Sequence, residues 1–90
     1  MAQAITIGRT VRYGIGIDRD GKVVERPAII VRVWNQEPGA CNLQVFIDGG
    51  NDQCEGSLSN EECGRGVVWR TSVVRSEAPS VGTWWWPPRG

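Results

Sequence analysis

Apolar and polar residues alternate along most of this chain, and glycine and proline interrupt the alternation at short intervals. In the segment 9–17 the apolar and aromatic residues Val11, Tyr13, Ile15 and Ile17 occupy every second position. A period of two is that of a β-strand, whose successive side chains point to opposite faces of a sheet. The same period recurs at 22–34, 42–48, 67–75 and 82–86, and no window of eleven residues shows a helical apolar stripe. The pattern therefore predicts five or six short strands.

The turn residues indicate how these strands connect. Asp20-Gly21 predicts a tight hairpin between the first two strands, and Pro27 indicates a bulge or an edge position in the second. Residues 53–66 are polar and small, and Ser59 and Glu62 have the spacing of a helical capping box that Gly64 would end. We predict an all-β fold: a small, highly curved SH3-like barrel, or alternatively an OB-like barrel, with an acidic loop insertion.

A chain of 90 residues supports one domain, so residues 1–90 are predicted to form a single barrel. The insertion at about 50–66 is expected to be a flexible, solvated loop, and 82–88 is expected to be a strand rich in tryptophan and proline. No apolar run is long enough to cross a bilayer, so no membrane contact is expected.

Charge is segregated along the chain although ten basic and ten acidic residues cancel. Residues 1–32 and 65–90 each carry a balance of +3, and residues 33–64 carry −6. Zero net charge and the acidic centre argue against binding to nucleic acid, and a single-stranded nucleic-acid-binding barrel is kept only as an alternative. Nine of the ten cations are arginine, whose planar fork of donors suits carboxylate and phosphate.

The residue inventory argues against catalysis. There is no histidine, which excludes Ser-His-Asp and Cys-His machinery, and no nucleotide-binding or nucleophile-elbow motif occurs. Three cysteines without a C-x-x-C pair predict reduced thiols in a cytosolic protein, and a three-cysteine metal site would need an acidic fourth ligand. We expect a protein that is not an enzyme and has no cofactor or metal.

Arginine and aromatic residues share the predicted polar side of the strands. If Val11, Val31 and Leu43 face the core, the opposite side carries Arg12, Arg32, Trp34 and Phe46, and Arg70 joins them from a later strand. Guanidinium groups that hold an anion beside rings that stack on a base would suit a nucleotide-derived ligand. Solvated arginines paired with acids across strands are the alternative.

Three adjacent tryptophans cannot all enter one small core, because neighbours on a strand point to opposite sides. Trp84-Trp85-Trp86 is therefore predicted to leave an indole for a contact between copies of the chain or with another protein, and Trp85 is a candidate for ligand stacking. The alternative has Trp84 and Trp86 plugging one end of the barrel while Trp85 lies flat on the surface.

Five segments resemble a family of small phage and prophage proteins of uncharacterised activity. They are Ile7-Gly8-Arg9-Thr10-Val11-x-Tyr13, residues 26–34, residues 42–52, Trp69-x-Thr71-Ser72-Val73-Val74 and Gly82-Thr83-Trp84-Trp85-Trp86-Pro87. Relatives often have histidine at the position of Trp85. The resemblance implies a phage-encoded origin and no particular activity.

The leading hypothesis is an oligomeric protein of the host cytoplasm that sequesters a small anionic nucleotide, such as a cyclic oligonucleotide or an ADP-ribose derivative. Such a sponge would block a host immune signal, with Arg12, Arg32 and Arg70 holding phosphate and Trp34, Phe46 and Trp85 stacking on the base. The alternative is a virion structural or assembly protein that docks through its tryptophan-rich tail.

Overall fold

The computed structural model describes residues 4–55 and 58–88, without the side chains of Cys54 and Glu55. Its strands are β1 (Thr10–Ile17), β2 (Val23–Val33), β3 (Cys41–Phe46), β4 (Val67–Val73) and β5 (Trp84–Trp85). They form one sheet in the order β4-β3-β2-β1-β5, and every neighbouring pair is antiparallel. This confirms the all-β prediction with its antiparallel strands.

One face of the sheet forms the hydrophobic core. Its centre consists of side chains that are at most 1% exposed: Val11, Ala28, Ile30, Cys41, Leu43, Val45 and Trp84. Trp84 is the largest of them, and its indole nitrogen donates to the Gly39 carbonyl oxygen at 2.8 Å. The indole is therefore buried without leaving its polar atom unpaired.

A bulge in β2 changes which residues reach this core. The β2–β3 register shifts between Ile30 and Arg32, so Val31 is the extra residue. Ile30 is fully buried and Val31 is 38% exposed, which reverses the prediction that Val31 faces the core. Because the extra residue shifts the alternation by one position, Arg32 still lies on the opposite face, as predicted.

The second strand runs through Pro27 instead of breaking there. Pro27 lies opposite Arg12 of β1, and the β2–β3 register ends one residue later, at Ala28–Val45. Proline lacks an N–H and is tolerated where a ladder is incomplete. Pro27 therefore occupies the edge position that the sequence indicates, but within a strand of eleven residues.

The acidic insertion contains two short helices, α1 (Asp52–Glu55) and α2 (Asn60–Arg65), and residues 56 and 57 of the predicted loop lie outside the described residues. The capping box is confirmed: the Ser59 hydroxyl accepts from the Glu62 N–H, and the Glu62 carboxylate accepts from the Ser59 N–H. The helix ends at Arg65 and is capped by Gly66, with φ of 75°, and not by Gly64. None of the helices in the described part of the chain has the length and apolarity to cross a membrane.

Among the described side chains, two ion pairs attach this insertion to the sheet. The fully buried Asp52 carboxylate accepts hydrogen bonds from the Arg26 guanidinium of β2 and, at 2.6 Å, from the Asp48 N–H. Glu62 of α2 accepts from Arg70 Nη2 of β4 at 2.8 Å. Each carboxylate therefore joins one of the helical turns to a strand.

Candidate functional site

The face of the sheet opposite the core, called the outer face below, carries most of the residues that the sequence singles out. The strand register and the alternation within each strand give its members: Thr10, Arg12, Ile17, Val23, Glu25, Pro27, Ile29, Arg32, Trp34, Asn42, Gln44, Phe46, Val67, Trp69 and Trp85. Trp69, Gln44, Ile29 and Thr10 form one row across four strands. Phe46 and Val67 form the row on one side of it, and Arg32 and Asn42 form the row on its other side.

Three exposed aromatic side chains and one exposed valine are spread along the outer face in the direction of the strands. Trp34, Trp69, Phe46 and Val67, called the aromatic stripe below, are 48%, 54%, 40% and 37% exposed. From the level of Asn42 to that of Phe46 the stripe spans about 13 Å, at a rise of about 3.4 Å per residue. Apolar surface of this kind, in contiguous form, marks interaction sites.

Asn42 fixes one end of the stripe. Its carboxamide oxygen accepts hydrogen bonds from the Trp34 indole N–H, the Thr71 hydroxyl and the Ser72 N–H, each at 2.9 Å. Asn42 is 8% exposed, and Ser72 has a positive φ of 54° beside the β3–β4 register shift. One buried oxygen therefore holds both the irregular backbone of β4 and the orientation of the Trp34 ring.

Arg32 stacks on the Trp34 ring. The guanidinium carbon lies 4.1 Å from the ring centroid, and the Arg32 side chain is exposed. Among residues 4–55 and 58–88 no carboxylate forms a salt bridge with Arg32. The Arg32 charge is therefore accessible to solvent or to a binding partner, and it lies beside an aromatic ring whose orientation is fixed.

The other two candidate arginines are paired with acids and do not converge with Arg32. Arg12 Nη1 donates to Glu25 Oε1 at 2.7 Å across the β1–β2 pair. Arg70 lies opposite the fully buried Leu43, so it belongs to the core side of the sheet and not to the outer face. Arg12, Arg32 and Arg70 therefore do not form the shared phosphate site that the sequence predicts.

Arg70 has its own partners on the core side. The hydrogen bond from Arg70, followed by that from the Ser59 N–H, lowers the pKa of Glu62. Burial alone would lower the pKa of Arg70, but its hydrogen bonds and charge interactions with Glu62 and Tyr13 outweigh burial and raise it. The Arg70 guanidinium is thus engaged by Glu62 of the insertion.

The tryptophan-rich tail is largely packed against the rest of the chain. Trp84 is fully buried, Trp85 is 6% exposed beside Arg12, and Trp86 meets Trp84 edge to face at 5.1 Å. Arg9 covers the Trp86 ring at 4.9 Å. The exposed indoles of this protein are accordingly Trp34 and Trp69 of the outer face, and Trp85 presents little ring surface for stacking.

The cysteines and acids supply no metal cluster where the structure describes them. No group of three or more His, Cys, Asp or Glu side chains is gathered closely enough to hold a metal ion in that part of the chain. Burial raises the pKa of the Cys41 thiol, which favours its neutral form at physiological pH.

Three residues with clear structural roles were not singled out from the sequence: Asn42, Trp69 and Arg26. Trp69 lies two residues after Val67 in β4, which indicates that the two side chains share a face of the strand. Ser72 and the bulge interrupt the alternation in that strand and obscure this pattern. Asn42 holds Trp34, eight positions away, and Thr71 and Ser72, 29 and 30 positions away. Arg26 holds Asp52, 26 positions away, so no local pattern indicates either residue.

Comparison with protein-family models, with curated proteins and with solved structures gives no match for this chain. The phage resemblance therefore stays a prediction.

Proposed function

We propose that this protein is a non-enzymatic binding module that docks onto a protein surface through the aromatic stripe. The observation that supports this proposal most directly is that Trp34, Trp69 and Phe46 are all 40–54% exposed on one face. Centres of protein interfaces are enriched in aromatic residues and arginine and depleted of other charges. Arg32 is the one guanidinium beside the stripe that lacks a salt bridge among the described residues.

The proposed docking surface differs from the one predicted from the sequence, which was the tryptophan-rich C-terminal strand. A tail contact needs exposed indoles in residues 84–86, but Trp84 and Trp85 are buried. An assembly role, in a virion or elsewhere, would therefore use the sheet and not the C-terminal strand.

We also propose that the sheet closes into a small SH3-like barrel. Backbone hydrogen bonds that follow β4 support this: Ser76 N–H donates to the Trp84 carbonyl at 2.7 Å, and Trp84 N–H donates to the Val74 carbonyl at 3.1 Å. Trp84 belongs to β5, at the other end of the strand order. In a barrel the outer face is the exterior wall, which leaves the stripe accessible.

Site-specific photocrosslinking tests the docking function. A benzophenone amino acid in place of Trp69, in the cells that normally produce the chain, should give a conjugate with a protein. The same group in place of Arg19, which is exposed in the turn between β1 and β2, is the matched control and should give little. Absence of a conjugate from both the Trp69 and the Phe46 positions would refute docking by this face.

The Arg32–Trp34 stack favours a second candidate, a small ligand with an aromatic ring and a phosphate. One guanidinium and one oriented indole form a smaller site than the six-residue pocket first expected. Titration calorimetry with ADP-ribose and cyclic dinucleotides tests it. Binding in the low micromolar range that Arg32→Ala abolishes would support sequestration, and binding weaker than high micromolar would exclude it.

A further inference from the structure

We infer that the partner of the outer face is a second copy of this chain, packed face to face about a two-fold axis that reverses the strand direction. This inference rests on the docking function proposed above and names its partner. Two antiparallel sheet faces pack at about 10 Å with interdigitating side chains, which is a standard way to bury a face of this kind.

Charge supports self-association in this arrangement. The formal net charge is zero, so two copies do not repel each other as whole molecules. Arg32 lies at one end of the stripe, and Asp48, two residues past the last residue of β3, begins the turn at the other end. Asp48 is exposed, its side chain accepts a hydrogen bond from Asn51, and it forms no salt bridge within the described residues.

A two-fold axis level with Val45 exchanges these two ends. Asn42, which pairs with Arg32, lies three residues before Val45, and Asp48 lies three residues after it. Rotation therefore places Arg32 of each copy at the level of Asp48 of the other, twice in one symmetric interface. The same rotation brings the central Trp69 and Phe46 rows of the two copies together. A two-fold axis parallel to the strands would instead place both Arg32 groups at the same end, where they repel.

The exposed area of the aromatic stripe indicates how tightly two copies should associate. The three aromatic rings expose roughly 300 Å² together, taking about 200 Å² per ring as fully exposed. A standard interface buries about 800 Å² per partner, which is a modest part of the 5630 Å² total surface here. The polar members of the outer face must contribute the remainder, so we expect a reversible dimer with a dissociation constant in the micromolar range.

Sedimentation equilibrium on the purified chain tests the inference, with concentrations from about 1 µM to about 500 µM to bracket that range. The wild-type mass should rise from 9.9 kDa toward twice that value. Trp69→Ser should keep the chain monomeric, whereas Arg19→Ser, in the exposed β1–β2 turn, should not. Far-UV circular dichroism of each variant verifies that the fold is retained. A wild-type chain that stays monomeric throughout overturns the inference.

Charge reversal tests the arrangement. Arg32→Asp and Asp48→Arg should each weaken the dimer about tenfold or more, and the double variant should recover most of the loss because both contacts are restored with opposite sign. Arg19→Asp, in the exposed β1–β2 turn, is the matched control and should have little effect. Failure of the double variant to recover would overturn the two-fold geometry.

The crosslinking assay separates this inference from the docking function. A conjugate at Trp69 with twice the mass of the chain supports the second copy. A conjugate of another mass, together with a monomeric wild-type chain, would retain the docking function and overturn the second copy as partner.

Discussion

Replacing Asn42 with alanine is the sharpest test of how the outer face is built. Alanine removes an oxygen that accepts three hydrogen bonds and leaves three donors to find other partners. The Trp34 and Thr71 donors belong to exposed side chains that water can reach, so their loss should cost little. The Ser72 N–H is part of a backbone with positive φ that this bond stabilises, and an unsatisfied amide costs about 1–3 kcal/mol.

We therefore expect Asn42→Ala to lower the free energy of unfolding by about 2 kcal/mol. At a urea slope of about 1.2 kcal/mol per M, typical of a small domain, the urea midpoint should fall by about 1.7 M. Asn42→Asp is the matched control, because a carboxylate offers an acceptor at the same position. The assay is urea unfolding followed by circular dichroism. An alanine variant within about 0.5 kcal/mol of wild type, or an aspartate variant as unstable as the alanine one, would refute the role of this oxygen.

Three further outcomes are expected from the same unfolding assay. Asp52→Ala should destabilise by about 3 kcal/mol, because it leaves the Arg26 guanidinium without its buried carboxylate, and a double-mutant cycle with Arg26→Ala should give a coupling above about 1 kcal/mol. Because the pKa of Glu62 is lowered, its ionised carboxylate stabilises the fold at pH values above the ordinary pKa of a glutamate. This contribution should be lost as the pH falls through the lowered pKa, and Glu62→Gln should remove that part of the pH dependence of stability. Gly14→Ala should cost about 2 kcal/mol, because its Cβ would lie 2.5 Å from a backbone carbonyl oxygen, and Gly50→Ala, with open space around it, should be tolerated.

The strands could be predicted from the sequence because alternation is a local signal. In β3, Leu43 and Val45 are buried whereas Gln44 and Phe46 are not, as their spacing predicts. The prediction was wrong at Val31, because a bulge adds one residue and reverses the alternation. A bulge depends on the register with the neighbouring strand, which no pattern within β2 reports.

The candidate site could be predicted less well, because alternation assigns a face but does not show which charges are paired. The outer-face positions of Arg12, Arg32 and Phe46 were predicted correctly. Arg70 was not, because the register puts it beside Leu43 on the core side. The tail was predicted to leave an indole for a contact with another chain. Instead Trp84 and Trp86 pack against each other, which is closer to the alternative, and Trp85 is buried and does not lie flat on the surface.

The segregation of charge along the chain acquires a structural explanation through these pairings. The acidic central segment supplies Asp52 and Glu62, and the basic flanking segments supply their partners Arg26 and Arg70. Opposite charges that are separate in sequence thus meet across the sheet and hold the insertion in place. Because these guanidinium groups are already engaged by carboxylates, an abundance of arginine does not by itself indicate an anion site. On the outer face Arg12 is paired with Glu25, whereas Arg32 is exposed, stacked on Trp34 and forms no salt bridge with a described side chain, so recognition by charge on this face depends on Arg32.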